Sequence, residues 1–408
     1  MSYSFDAMEQ LKGYIFRLKP TPEQAQRFRR TAGCNRFVWN QALGLQKRAS
    51  KEEQKPIFYV EMSSFLTHWK RDPFPWLYDA PADTLQQTLR DLDSAWRKCI
   101  KEGAGAPRFK KRGRCRESFR FPKDFRFDNR RVFLPKFGWI GFFKSREIEG
   151  TPRNLTVFEL AGRWYMSVCC KQDVPDPVHS SVSVVGLDLG VARFATLSDG
   201  SFVQPLNSLR STEKALTRAQ RKYARTQKDS RRREKARLRI AKIQTHIANA
   251  RKDFLHKVST VLSKSHAEIV MEDLRVRNMS ASAKGTIEEP GRNVAAKSGL
   301  NKSILDQGWY ALRTMLEYKQ RERGGTVTIV PAAYTSQTCS CCGCVDASNR
   351  KSQSKFLCSR CGFKTNADVN AALNILRAGG HSVAARGGFG ASQPMKREPL
   401  NFSGILGL

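Results

Sequence analysis

Residues 184–200, VVGLDLGVARFATLSDG, place one carboxylate, Asp188, inside an apolar run. Val184 to Leu189 has the unbroken apolar character of a buried strand, and Gly190 ends it. Phe194 to Leu197 reads as a second strand, with Ser198-Asp199-Gly200 as the hairpin turn into Phe202-Val203. Burying a carboxylate is costly unless something compensates its charge. Asp188 therefore either caps a strand end or faces a partner.

Two distant stretches share the pattern. AEIVMEDL (267–274) is a strand, Ala267 to Met271, ending on Glu272. NADVNAALNIL (366–376) opens a helix with Asn366 as N-cap and Asp368 in the first turn. Each acid has a structural explanation of its own, and the helix macrodipole alone favours Asp368. As a set they match a ribonuclease-H-like layout: a strand-hairpin-strand start, a later strand ending in an acid, and a helix opening with one. Carboxylates hold hard divalent ions such as magnesium, with manganese as an alternative. Two such ions roughly 3.5 to 4 Å apart support phosphodiester hydrolysis. In that scheme Asp188 bridges the ions, and Glu272 and Asp368 each complete a shell.

Charge points to the same substrate class. The 408 residues carry 72 Lys and Arg against 37 Asp and Glu, a net charge of +35. A balance this basic calls for a polyanion, and nucleic acid is the usual one. No stretch approaches the ~18 to 20 apolar residues of a membrane span, and MSYSFDAMEQLKGYIF lacks a secretory pattern. A cytoplasmic protein of the prokaryotic nucleoid is expected.

Six of the 11 cysteines fall between 339 and 361. Cys339-Ser-Cys-Cys342-Gly and Cys358-Ser-Arg-Cys361-Gly are two C-x-x-C-G knuckles 15 residues apart, the pattern of a four-cysteine zinc ribbon. Cys341 and Cys344 offer a competing register. The 339/342 register is preferred because Gly343 then follows its knuckle as Gly362 follows the other. Four thiolates leave no open position for water, so one structural zinc is expected.

The rest of the chain falls into blocks. Tyr14, Phe16 and Leu18 alternate as a strand ended by Pro20. Thr21 caps a helix reaching about Lys47, and further helices cover about Val60 to Trp69 and Ala82 to Ile100. GAGAPRFKKRGR (103–114) reads as an exposed basic segment with Arg108, Lys110 and Lys111 as phosphate contacts. From 118 to 170 the period is two, as in a β-rich domain built as a barrel, and 173–181 is a linker. The strand at 14–18 can belong to that barrel, making the helical block an insertion. A basic helical region spans about 207 to 263, where a backbone-binding helix pair includes Arg231, Arg232 and Arg233. Residues 279–300 show no period and are expected to be mobile. A helix capped by Ser303, with Leu305, Trp309, Leu312 and Leu316 on one face, leads to a strand at Thr326 to Val330. Beyond 379 a disordered tail is expected.

GLDLGV, IVMEDL, YTSQTCSCCG, FLCSRCGF and NADVNAALNI, in this order, resemble the TnpB proteins of insertion sequences, compact relatives of type V CRISPR nucleases. GAPRFKKR and LPKFGWIGF are also similar to family motifs. The resemblance covers nearly all of residues 11–378. It implies a multidomain α/β architecture. A wedge β-barrel (1–20 and 116–180) carries an inserted helical recognition domain (21–115). A RuvC nuclease domain (181–335 and 363–378) is interrupted by a zinc-ribbon target-nucleic-acid-binding domain (336–362), and a tail (379–408) follows.

The activity implied is that of a DNA endonuclease guided by an RNA from the transposon end. Such an enzyme recognises a short motif beside its double-stranded target and cuts with one magnesium-bearing site. Asp188, Glu272 and Asp368 map onto the family's metal-binding carboxylates, and Cys339, Cys342, Cys358 and Cys361 onto its zinc ligands. Tyr59, Gln86 and Gln87 map onto readers of the adjacent motif. One protein per RNA is expected. Many relatives have an acid where this chain has Asn366. Two other readings share the charge and the fold: a catalytically silent RNA-guided DNA-binding regulator, and a transposase acting without guide RNA.

Overall fold

A computed structural model describes residues 8–174, 176–286 and 288–381 of the chain. They form two compact units divided at Pro175. The expected tail beyond His381 lies outside the described residues.

In the first unit, alternation puts Tyr14, Phe16 and Leu18 of β1 (Met8–Lys19) on one buried face. Thr21 then starts α1 (Pro22–Lys51). Its hydroxyl accepts from the Gln24 amide N–H at 3.2 Å while the Thr21 amide donates to Gln24 Oε1 at 3.0 Å, a reciprocal cap ahead of Pro22. α2 (Tyr59–Arg71) and α3 (Ala82–Glu102) follow, and Gly103 ends α3 with φ +64°. Next come β2 (Ser118–Phe121), β3 (Arg126–Asp128), β4 (Arg131–Leu134), β5 (Gly138–Phe142), β6 (Thr151–Leu160) and β7 (Arg163–Val174).

The seven strands form one sheet in the order β2-β6-β7-β1-β5-β4-β3. β1 pairs with β7 along most of its length and with β5 at Leu18 and Lys19. The helices thus leave the sheet after its first strand and return before its second, as the period change suggested. α1 serves two cores: Phe28 and Ala32 pack with the sheet residues, and Val38, Trp39, Ala42 and Leu43 with α2 and α3.

In the second unit a sheet of five strands is built from β8 (Val184–Leu189), β9 (Ala195–Leu197), β10 (Phe202–Val203), β11 (Glu268–Glu272) and β12 (Thr326–Val330). The order is β10-β9-β8-β11-β12, with antiparallel pairing on the hairpin side and parallel pairing between β8, β11 and β12. The long basic region is two helices, α4 (Ser208–Ala224) and α5 (Arg231–Ser265). Asn207, before α4, makes no side-chain cap; Asp306 supplies it instead, accepting from Ser208 Oγ at 2.8 Å and the Leu209 amide at 2.9 Å.

Three expectations fail in the stretch after β11. Residues 279–300 show no period in sequence, yet α6 (Val276–Met279) ends on the first of them and α7 (Val294–Gln307) begins within them. Ser303 is therefore not a cap but lies mid-helix, its hydroxyl donating to Gly299 O at 3.3 Å. α7 ends at Gly308, φ +74°, and α8 (Trp309–Arg321) starts anew. That break turns Leu305 outward, 54% exposed, while Trp309, Leu312 and Leu316 are buried as expected. α7 has no strong apolar stripe to betray it, because only Ile304 and Gln307 of its residues are buried.

β13 (Lys355–Leu357) and β14 (Lys364–Asn366) form a small hairpin, and α9 (Ala367–Ala378) closes the described chain. Strand parity divides the five-stranded sheet between two layers. Val185, Leu187, Leu189, Ile269 and Met271 face α5 and α8, whereas Val184, Val270 and Val330 face α9 through Ile375 and Leu376. No described helix is long and apolar enough to cross a membrane.

Candidate metal centres

Parity places Asp188 and Glu272 on the α9 side of the sheet, each two residues beyond a position that faces α9. The parallel ladder pairs Met271 with Leu187, so Glu272 stands level with Asp188 on the adjacent strand. Gly186 brings the third acid in. A Cβ there would lie 2.2 Å from the carbonyl oxygen of Ala372 and 2.8 Å from the amide of Leu376. Only a residue with no side chain lets α9 press this closely, and α9 opens with Asp368. Asn366 caps that helix, its Oδ1 accepting from the amides of Asp368 at 3.0 Å and Val369 at 3.3 Å. Asn366 thus has a structural duty.

All three carboxylates are raised, and Asp188 feels the other two. Burial, then Glu272, then Asp368, push Asp188 up to about 7, partly opposed by Arg350. Burial raises Glu272, against a 2.5 Å hydrogen bond donated by the Thr335 hydroxyl. Burial also raises Asp368, opposed by Arg350 and Arg193, with Arg350 Nη2 3.5 Å from Asp368 Oδ1. The protein resists the ionisation of all three, and carboxylates are the hard-oxygen donors that divalent cations take.

Around them α9 anchors the segment between β12 and the hairpin. Asn370 accepts from the Ser340 amide at 2.9 Å and donates to Thr338 O at 2.8 Å; Asn374 donates to Thr335 O at 2.9 Å; Arg377 donates to Ser340 O at 2.8 Å. Thr335, Asn374, Arg193 and Arg350 were not singled out from the sequence. Their positions carry no period or spacing signal, and only the fold brings Thr335 to Glu272, Arg193 and Arg350 to Asp368, and Asn374 to the Thr335 carbonyl.

The cysteine centre is tighter. The sulfurs of Cys339, Cys342, Cys358 and Cys361 all lie within 4.8 Å of one another. Cys339 is 3.7 Å from Cys361, and Cys342 is 3.6 Å from Cys358. Tetrahedral zinc with Zn–S near 2.3 Å needs edges of about 3.8 Å, so the four fit a structural zinc site. The two knuckles are the same turn built twice: Gly343 N–H donates to Cys339 O with φ +73°, and Gly362 N–H to Cys358 O with φ +70°. Those left-handed positions explain the glycine after each C-x-x-C. Cys341 is exposed and outside the cluster, and Cys344 packs against Cys339 and Phe356 instead. Of the two registers, 339/342 is the one that forms.

The remaining sequence candidates fall in three environments. In the first unit, Arg108 and Lys111 are exposed, but Lys110 is anchored, its Nζ 3.7 Å above the Trp39 ring and its backbone exchanging hydrogen bonds with Asn40. The segment 103–114 is therefore pinned at its middle. Arg90 lies over the Tyr59 ring at 4.8 Å, Gln87 donates to Asp91 at 2.9 Å, and Gln86 is half-buried. On α5, Arg231 and Arg232 are exposed, whereas Arg233 stacks on Tyr223 at 4.2 Å and donates to Thr226 O at 2.8 Å, locking α5 to α4.

Comparison with known proteins places these centres in a family. A family profile described as "Probable transposase" matches residues 167–283, one described as "Cas12f1-like, TNB domain" matches 309–375, and a "Helix-turn-helix domain" profile matches 8–55. Residues 8–55 here hold a strand and a single helix. The chain is 49% identical over 96% of its length, and 98% of the relative's, to "Putative RNA-guided DNA endonuclease InsQ" of Escherichia coli (strain K12). It is 34% identical over 91% of its length, and 90% of the relative's, to a "Putative RNA-guided DNA endonuclease" of Streptomyces pristinaespiralis. Among solved structures, the cryo-EM Cas12f1-sgRNA-target DNA complex contains a chain of similar fold, with TM-score 0.51, 15% identity, and 87% and 83% of the two chains covered.

Proposed function

The chain belongs to the TnpB family, the transposon-encoded RNA-guided DNA endonucleases, and from that premise we propose that it cuts DNA at Asp188, Glu272 and Asp368 under the direction of a guide RNA. The observation that carries this reading is the level pairing of Asp188 with Glu272, under a helix that Gly186 admits and Asp368 begins.

Two magnesium ions, when bound, would activate a water and neutralise the leaving oxygen of a phosphodiester. Asp188, raised by burial and by both other acids, would be a ligand whose charge the ions offset. Glu272 is held in place by Thr335, and Asp368 by the first turn of α9. With Asp188 near 7, ion binding would release a proton at neutral pH and weaken as the solution turns acidic.

The remaining surfaces suit a nucleic-acid cradle. Arg231 and Arg232 on α5, and Arg108 and Lys111 on the pinned basic segment, present charge for phosphates. Residues 1–20 and 116–180 would serve as the wedge barrel, 21–115 as the recognition domain, 181–335 and 363–378 as the RuvC nuclease, and 336–362 as the target-nucleic-acid-binding ribbon. The guide derives from the transposon end, and Tyr59, Gln86 and Gln87 read the motif beside the target.

The test is cleavage of a DNA matching the RNA that copurifies with the protein, in magnesium. The parent cuts it and Asp188→Ala does not. Equal cutting by Asp188→Ala defeats the site assignment. Guided binding without cutting under any divalent metal makes the chain a regulator, and activity surviving removal of the RNA makes it a guide-independent transposase.

A further inference from the structure

The zinc hairpin and the carboxylates meet at one side chain. Asn349 is fully buried. Its Nδ2 donates to Gln337 O at 3.1 Å and Cys344 O at 3.3 Å, and its Oδ1 accepts from the Ser359 amide at 2.8 Å. Those partners belong to both knuckles: Cys344 O also accepts from the Cys339 amide at 2.8 Å, and Ser359 follows Cys358. Arg350 is the next residue. Its backbone bridges Phe356, which is fully buried beside Cys339, Cys358 and Ala367. Its Nη2 donates to Gln353 O at 3.1 Å and reaches Asp368 Oδ1 at 3.5 Å. The guanidinium is thus held between the hairpin's own backbone and the carboxylate trio, at the end of a chain of contacts that starts at the cysteines.

We propose that Arg350 is a positioning residue that couples the two metal centres: with the knuckles closed, its guanidinium stands beside Asp368 as a resident counter-cation and competes with divalent ions entering the trio. The inference rests on the trio being a divalent-cation site. A fixed positive charge within a few ångströms repels an arriving cation, and in a half-buried site solvent screens that repulsion only partly. The same guanidinium is a partner for the Asp368 carboxylate. Both effects depend on where Arg350 is held, which Asn349 and the two knuckles decide.

The experiment is a manganese titration of the full-length protein, following free Mn2+ by electron paramagnetic resonance, with zinc content measured for each sample. Arg350→Ala binds Mn2+ about tenfold more tightly than the parent, and Arg350→Lys restores binding to near the parent's. Asn349→Ala, retaining one zinc per chain, tightens binding in the parent background and has no effect in the Arg350→Ala background. Arg350→Gln, closer in volume, takes the place of Arg350→Ala if that variant loses zinc. Unchanged or weaker Mn2+ binding when the charge is removed overturns the proposal, as does an Asn349→Ala shift that persists without Arg350. Asp188→Asn is the control. If it binds Mn2+ like the parent, the cation-site reading has failed; if it abolishes binding while Arg350→Ala changes nothing, only the coupling has.

Discussion

Glu272 sits level with Asp188 on the adjacent parallel strand, because the ladder pairs Met271 with Leu187 one residue earlier. Both acids therefore extend from the carboxyl ends of neighbouring strands on one face of the sheet, where α9 lies and where open α/β sheets commonly bind ligands. A one-residue slip would send Glu272 to the face packed by α5 and α8.

Asp188 should cost the metal-free protein stability. Its folded value, about 7, lies above its ordinary 3.8, so the folded state binds the proton more firmly than the unfolded one. The stability this proton provides is full below about pH 4, is lost as pH climbs, and is gone above about pH 7. Asp188→Asn should abolish DNA cutting yet raise the metal-free melting temperature. The gain should be larger at pH 8, on the order of 2–4 kcal/mol, than at pH 5. Thermal melts at both values check it, and magnesium should stabilise the parent alone.

Gly186→Ala tests the approach of α9. Its Cβ would collide with the Ala372 carbonyl, so α9 must shift and take Asp368 with it. Overpacking of this kind costs about 1–3 kcal/mol. Melting temperature and cleavage should both fall, and because Asn370 and Arg377 tie α9 to Thr338 and Ser340 the first knuckle should feel the shift too.

The four-sulfur set predicts which cysteines matter. Cys339→Ala or Cys358→Ala should lose zinc by elemental analysis, and Cys341→Ser should keep it, because Cys341 lies outside the cluster. Loss of zinc from Cys341→Ser would restore the rival register.

Thr335→Val removes the hydrogen bond to Glu272 while keeping the side-chain shape. Supporting contacts of this sort are worth about 10- to 100-fold in metal affinity. Calorimetric titration with Mn2+ should show a drop in that range with zinc unchanged.

Three consecutive arginines should separate by role. Arg231→Ala and Arg232→Ala should flatten the salt dependence of nucleic-acid binding by roughly one unit of log–log slope per phosphate lost. Arg233→Ala should leave that slope alone and instead lower stability by about 1 kcal/mol, since Arg233 locks α5 to α4 through Tyr223 and Thr226.

Much of this was legible beforehand where local chemistry and fold agree. Thr21-Pro22, Asn366 and the paired C-x-x-C-G knuckles each satisfy their own backbone within a few residues, and they formed as read. The alternation at Tyr14, Phe16 and Leu18 needed only one buried face. α7 is not legible in the sequence because only Ile304 and Gln307 of its residues are buried and its end at Gly308 depends on backbone geometry, not on a pattern of apolar residues.

Residue types and their order alone determined the metal chemistry on offer, soft thiolates in one cluster and hard carboxylates in three separate stretches, because ligand preference is a property of the side chain. Tertiary structure alone decided that Glu272 stands level with Asp188, that Asp368 comes near enough to raise it, and that Thr335 bonds Glu272 while Arg350 reaches Asp368. Strand register and the depth to which α9 settles over Gly186 set those distances, and both are resolved only when segments as many as 180 positions apart in the chain pack together.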